Sequence, residues 1–228
     1  MCGRFTLKSP LRLKFEGISD ARVPPPILLP RYNIAPSQEV LAITGSESER
    51  QLSTFVWGLI PSWSKEPKGF INARSETLQS KASFNDSFQR RRCLIPADGF
   101  YEWKRQGKIK QPYYFQLKDE SQFAFAGIWD RWQKDGASVM SCSIITTVPN
   151  ELLAEIHNRM PVMLAGDAQD KWLSDSGPRD LMALLEPFPE EEMKSFPVST
   201  RVNHTQIDEP SLVEPVEVVE EPENLRLF

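Results

Sequence analysis

The stretch whose reading decides the fold is Phe123-Ala124-Phe125-Ala126-Gly127-Ile128, taken with Val139-Met140-Ser141-Cys142-Ser143-Ile144-Ile145-Thr146-Thr147. Both runs are rich in aromatic and β-branched residues and are bounded by turn chemistry, the pattern of a strand. Working outward, Val40 to Thr44, Ser53 to Trp57, Cys93 to Pro96 and Tyr113 to Leu117 read the same way, and Cys2 to Leu7 is a short strand-like opening. Helical periodicity is confined to three short pieces: Asn150 to Ile156, which follows the Val148-Pro149 break, Asp167 to Leu173, and Arg179 to Leu185. Strands do not alternate with long helices, which disfavours a doubly wound parallel sheet. The expected class is therefore α+β: a single compact β-rich domain with a mostly antiparallel, barrel-like sheet and short helices. The Val23-Pro24-Pro25-Pro26 segment reads as a rigid spacer leading to a loop, Arg31-Tyr32-Asn33-Ile34-Ala35-Pro36.

A chain of 228 residues that is 40% hydrophobic is long enough to bury a core. One domain over residues 1–228 is expected, with an acidic extended segment from about residue 208. No internal repeat is visible. No apolar run approaches the roughly 18 residues of a membrane span, and the N-terminus lacks the charged-then-apolar pattern of a signal peptide, so the expected location is the cytoplasm. Cys2, Cys93 and Cys142 are odd in number and widely spaced, which indicates neither a disulfide framework nor a zinc site. Cys93 and Cys142 lie in apolar strand-like runs and read as core thiols. No cofactor or metal is expected, and the absence of heptads or a long unpartnered apolar helix points to a monomer.

The net charge of −4 is unevenly placed. Asp208 to Phe228 holds seven acidic residues against Arg226, a charge of −6, which leaves +2 on residues 1–207. Positive charge clusters at Arg90-Arg91-Arg92 and from Lys104-Arg105 through Lys108 and Lys110. These clusters read either as phosphate-facing patches or as solvated turns.

The residues that carry chemistry begin at Met1-Cys2-Gly3-Arg4. Loss of Met1 would give Cys2 an α-amine with a pKa of about 7.7–8.0, against about 10.4 for lysine, and hence a carbonyl nucleophile at neutral pH. Attack on an aldehyde gives a Schiff base, on which the neighbouring thiol can close a five-membered thiazolidine. Glu102, in Asp98-Gly99-Phe100-Tyr101-Glu102-Trp103, is either a proton shuttle raised in pKa by apolar neighbours or a solvent-facing residue of an alternating strand. His157, in Glu155-Ile156-His157-Asn158-Arg159-Met160-Pro161, is either a proton donor to a sugar oxygen or a helix-end structural group. His204 reads as structural. In Ile71-Asn72-Ala73-Arg74-Ser75-Glu76, Asn72 and Arg74 share one side of an extended segment, Arg74 suited to a phosphate and Asn72 to the reacting centre. Trp63, in Trp57-Gly58-Leu59-Ile60-Pro61-Ser62-Trp63, either stacks on an unpaired base or caps the core.

In their order along the chain, Met1-Cys2-Gly3-Arg4-Phe5, Arg31 to Pro36, Trp57 to Trp63, Ile71 to Glu76, Ala97 to Trp103 and His157 to Pro161 resemble the SRAP family, the SOS-response-associated peptidase or abasic-site processing proteins. The resemblance covers nearly the whole chain and implies a compact β-rich α+β fold. It also implies a sensor of abasic sites in single-stranded DNA that crosslinks through Cys2 after loss of Met1. On that model Cys2 is the nucleophile, Asn72 orients it or the sugar, Glu102 shuttles protons, and His157 assists ring opening and the reverse reaction. Arg74 and Arg159 hold phosphates, Pro36 and Trp63 shape the strand's path, Thr146 belongs to the site wall, and Arg4 is counted among the DNA-facing residues. Autocatalytic removal of Met1 and strand cleavage by lyase chemistry are further activities the resemblance allows. Two other classes begin from the same residues: an N-terminal-nucleophile amidohydrolase, in which the thiol attacks an amide, and a non-covalent single-strand binding module in which Cys2 is incidental.

Overall fold

The computed structural model describes residues 2–9, 18–19, 29–46, 49–107 and 109–218; Met1, the triple proline, Lys108 and the last ten residues of the acidic segment lie outside them. In chain order the strands are β1 (Arg4–Leu7), β2 (Ile18–Ser19), β3 (Arg31–Ile34), β4 (Glu39–Ser46), β5 (Glu49–Trp57), β6 (Asn72–Arg74) and β7 (Arg92–Ala97). They continue with β8 (Gly99–Gln106), β9 (Ile109–Leu117), β10 (Phe123–Lys134), β11 (Ala137–Thr147), β12 (Met160–Pro161), β13 (Met163–Leu164) and β14 (Met193–Pro197). Four short helices accompany them: α1 (Asn85–Arg90), α2 (Glu151–Ala154), α3 (Asp167–Leu173) and α4 (Pro178–Met182).

The expected α+β architecture is what the chain adopts, and its barrel character has a definite origin. Antiparallel pairing runs β5–β4–β7–β10–β11, and β11 then pairs with β5 in parallel, Ser141 opposite Val56 and Cys142 opposite Trp57. The five strands thus close into a ring, which leaves no open edge at that seam. A second, antiparallel sheet in the order β14–β9–β8–β1–β3 packs beside it.

Strands at the centre are covered on both faces, which is why they read as continuous apolar runs rather than alternating ones. Cys93 and Ile95 of β7, Phe125 of β10 and Ile144 of β11 join Phe5, Trp57, Phe100 and Phe115 in one core between the ring and the second sheet. Their alternates Leu94, Ala124, Ala126, Ile128 and Ile145 face a second core made with Phe84, Phe88, Trp172 and Leu181, brought by the chain around α1, α3 and α4. Tyr101 and Tyr114 of the second sheet bury their outer face under Val198, Val202 and Leu212 of the C-terminal segment.

Two local expectations are corrected. Arg31 to Ile34 is a strand, not a loop, because β3 pairs with β1, Phe5 opposite Ile34, a long-range partner that local pattern does not reveal. The Arg90-Arg91-Arg92 cluster is not a run of three free surface charges: Arg91 and Arg92 are engaged within the fold, and Arg90 stays largely exposed. Arg90 and Arg91 pair with Asp86, and Arg91 also reaches Asp130. Arg92 donates to the carbonyls of Phe88, Gln89, Trp172 and Ser174, tying α1 and α3 to β7.

The first strand is held by a buried polar network. Thr6 Oγ1 donates to Asp98 Oδ1 at 2.6 Å and shares a hydrogen bond with Tyr114 Oη at 2.8 Å, while the Lys8 amide donates to Asp98 Oδ2 at 2.5 Å. Tyr114 fits only because residue 99 has no side chain: a Cβ there would lie 2.1 Å from Tyr114 Oη. Gly99→Ala must therefore expel the ring or shift β8. The expected loss is about 2–3 kcal/mol in urea unfolding, as for other overpacked sites with broken buried hydrogen bonds. A loss indistinguishable from zero would show that the ring has somewhere else to go.

Candidate active site

Cys2 sits at the entry to β1, fully buried. It is fixed from two directions. β1 is an inner strand, paired with β3 on one side and with β8 on the other, Arg4 opposite Tyr101. Asn72, the first residue of β6, donates from Nδ2 to the Cys2 carbonyl at 2.9 Å. Asn72 is itself placed by parallel pairing of β6 with β11, where it lies opposite Ile144. Its Oδ1 is buried and accepts no hydrogen bond among the described residues, an unmet demand beside the Cys2 backbone.

Glu102 lies on β8 and is 2% exposed. The solvent-facing alternative is thereby excluded: Glu102 alternates with Tyr101, whose face lies under the C-terminal segment, and so shares with Phe100 the inner face of β8, toward the core between the two sheets. Burial raises the Glu102 carboxyl above the ordinary glutamate value, while nearby positive charge, that of His157 included, pulls the other way. The Cys2 thiol is likewise raised, first by burial and second by the negative charge of Glu102, so it is held as the neutral SH. Its Sγ is 3.8 Å from the Arg4 carbonyl.

His157 follows α2, its amide bonded to the Leu153 carbonyl at 2.8 Å. The Asn150 side chain caps that helix by accepting from the Leu153 amide. The Arg159 amide donates to His157 Nδ1 at 3.1 Å. The same Nδ1 lies 3.2 Å from the Arg159 carbonyl, so the backbone at Arg159 holds the ring in place in either tautomer.

One bond further on, Arg159 joins a second group. Its Nη2 donates to the Thr146 carbonyl at 2.5 Å, and both Nη atoms meet the Glu76 carboxylate. Thr146, fully buried, lies opposite Arg74 on one side and Pro161 on the other. Arg74 is exposed. Asn72 and Arg74, two apart on β6, thus connect the Cys2 group to the Arg159 group.

Trp63 projects from the tip of the loop after β5 and is 64% exposed, which excludes a core-capping role. That loop is pinned by the Ser141 hydroxyl, which accepts from the Ile60 amide, by Asp130, which accepts from the Ser62 amide, and by Trp132 Nε1 bonding the Ser64 carbonyl. Pro36 lies in the turn after β3, where the Ser37 amide bonds the Trp57 carbonyl at 2.8 Å. Arg4 has different company. It donates to Asn33 Oδ1 at 2.8 Å and to the carbonyls of Val202 and Asn203, fastening the C-terminal segment to β1.

The structure therefore brings Cys2, Asn72, Glu102 and His157 together, sets Arg74, Thr146 and Arg159 beside them, and leaves Trp63 on an exposed rim. Asn33 and Glu76 were not singled out from sequence. Glu76 stands two residues after Arg74 in the same motif, which is the signal that could have found it. A separate cavity of about 580 Å³, lined by Gln51, Arg92, Trp129 and Asp175 among others, contains none of these residues. Among the described residues no cluster of His, Cys, Asp and Glu could hold a metal ion, and no helix is long and apolar enough to cross a membrane.

The family model described as SOS response associated peptidase (SRAP) matches residues 1–205. The abasic site processing protein YoqW of Bacillus subtilis is 43% identical over 222 residues, covering 94% of this chain and 99% of that protein. The abasic site processing protein HMCES of Gallus gallus is 34% identical, covering 85% of this chain and 64% of that protein. A crystal structure of a protein from Bacteroides thetaiotaomicron superposes with a TM-score of 0.85 at 30% identity, covering 95% of this chain and all of that one. The chain belongs to the SRAP family of SOS response associated peptidases.

Proposed function

We propose that the protein, once Met1 has been removed, captures the aldehyde of an abasic site in single-stranded DNA through the α-amine and thiol of Cys2. The observation that carries this reading is the gathering of Cys2, Asn72, Glu102 and His157 at one point, with Asn72 bonded to the Cys2 backbone at 2.9 Å. Similarity to proteins named for abasic site processing supports the substrate class.

The imidazolium form of His157 gives a proton to the sugar ring oxygen as the ring opens and takes one back from the anomeric hydroxyl, which becomes the aldehyde oxygen. The unprotonated amine attacks the carbonyl carbon, and its surplus proton passes to Glu102. Glu102 returns a proton to the carbinolamine hydroxyl, which leaves as water and gives the Schiff base. The Cys2 thiol then adds across the C=N bond: sulfur bonds to carbon, and the thiol proton goes to nitrogen. Because the thiol is neutral and buried, it enters second, which favours amine-first capture over an amidohydrolase in which a thiolate leads. Asn72, with an unmet acceptor beside Cys2, suits the amine hydrogens. Arg74 and Arg159 serve flanking phosphates, Trp63 and Pro36 the path of the strand, and Thr146 the wall beneath it.

Four measurements test the reading. Processed Cys2→Ser protein should still form an imine that borohydride traps on an abasic oligonucleotide, but no crosslink that survives a denaturing gel without borohydride. An equal yield of untreated crosslink from wild type and Cys2→Ser would dispose of the thiazolidine. Mass spectrometry of the wild-type adduct should show Met1 absent. Glu102→Gln should slow imine formation by roughly 10²-fold or more, the usual loss on removing a proton shuttle. The same substitution should raise the melting temperature at neutral pH. A carboxyl raised in the folded state binds its proton more tightly than in the unfolded chain, so wild type loses stability as pH climbs from the unfolded pKa through the folded one. The advantage of Gln should fade in acid, where both states of Glu102 are protonated, and equal melting curves at both pH values would refute the buried-charge assignment.

A further inference from the structure

Arg159 does not stand open to solvent. Its side chain is 12% exposed; Nη2 reaches inward to the Thr146 carbonyl, and Nε is buried with no hydrogen-bond partner among the described residues. What faces outward is the fork of Nη1 and Nη2, and Glu76 fills it: Oε1 meets Nη1, and Oε2 accepts from Nη2 at 3.0 Å. The Glu76 side chain is half exposed, so it is the removable member of the pair. A carboxylate held by two parallel N–H···O bonds occupies the geometry that a phosphate would use.

We infer that Glu76 is a resident stand-in for a DNA phosphate, filling the Arg159 fork in the free protein, and that a backbone phosphate of the strand must displace it to bind. The inference deepens the capture reading above and rests on it, naming the residue that sets how readily the groove accepts a strand. Glu76 lies in the 3-10 turn Ser75–Thr77 immediately after Arg74, which is exposed and has no ion pair among the described residues. A strand can therefore engage Arg74 directly, whereas at Arg159 it exchanges one anion for another. That exchange yields little net affinity, so undamaged single strands are held loosely, and lasting retention falls to the covalent step at Cys2.

The test is fluorescence anisotropy with a fluorescein-labelled oligothymidylate that contains no abasic site, across a potassium chloride series. It compares wild type, Glu76→Gln, Glu76→Ala, Arg159→Ala and Glu76→Gln/Arg159→Ala. Crosslinking of an abasic oligonucleotide by each protein is scored in parallel. Both Glu76 variants should bind roughly three- to tenfold tighter at low salt, the scale of freeing one partly exposed ion-paired cation. Their affinity should fall more steeply with salt, by up to about 0.7 in the log–log slope for one more phosphate neutralised on a single strand. Arg159→Ala should bind more weakly, and the gain from Glu76→Gln should vanish in the double variant. Equal or weaker binding by both Glu76 variants would mean that Glu76 merely props Arg159, and the inference would fall while Cys2-dependent crosslinking stood. A gain that persists without Arg159 would overturn it too, as a general charge effect. Absence of any crosslink with wild type would sink the capture reading and leave the anisotropy series to decide the role of Glu76 alone.

Discussion

Residues beside a chain terminus ordinarily fray, yet Cys2 is fully buried. The hydrogen bond from Asn72 to the Cys2 carbonyl helps to fix it there, and much of the architecture positions these two partners. Asn72 is delivered by a three-residue strand that could not stand alone and is placed by parallel pairing with β11. Cys2 is delivered by β1, which is paired on both sides and clamped from below by Asp98 through Thr6 and Lys8. Asn33 then locks the outer layer, its Nδ2 reaching the carbonyls of Val202, His204 and Ile207 while its Oδ1 receives Arg4.

The electrostatics of the centre are those of a site that accepts instability for function. Burying Glu102 disfavours its charged form, and its charge in turn disfavours thiolate at Cys2. A merely structural arrangement would place an apolar residue at position 102, since the two cores on either side are continuous there with Phe100 and Tyr101. Perturbed carboxylates that gather beside a nucleophile and a histidine are more characteristic of chemistry than of packing.

How much of this was legible in the sequence depended on whether the deciding interaction was local. Six strand runs and α3 follow from residue type and spacing, and Asp167 to Leu173 is helical from end to end. The barrel was visible as a class but not as a closure, because the pairing of Val56 with Ser141 joins distant segments. β3 was missed for the same reason. Glu102 was ambiguous because alternation assumes one wet face, whereas β8 is covered on both, by the inner core on the side of Phe100 and by the C-terminal segment on the side of Tyr101, which is a tertiary fact. The arginine cluster misled in the opposite sense: three adjacent charges look like a surface patch, but their partners at Asp86, Asp130 and Trp172 come from α1, β10 and α3. Cys2, Asn72 and His157, which the fold brings to one place, were singled out by chemical type and resemblance. Glu76 was overlooked because a carboxylate paired with an arginine is not what a search for positive charge returns.

The parallel seam between β5 and β11 has a consequence for biosynthesis. Closing loops of that length carries a large entropic cost before any contact rewards it, so the ring forms late. During translation β5 waits for β11, while β1 waits for β8 and for the covering segment around Val202. In this topology Asn72 and Glu102 are fixed beside Cys2 only after β11 and the segment around Val202 have emerged, so the candidate site is assembled well after its own residues have left the ribosome.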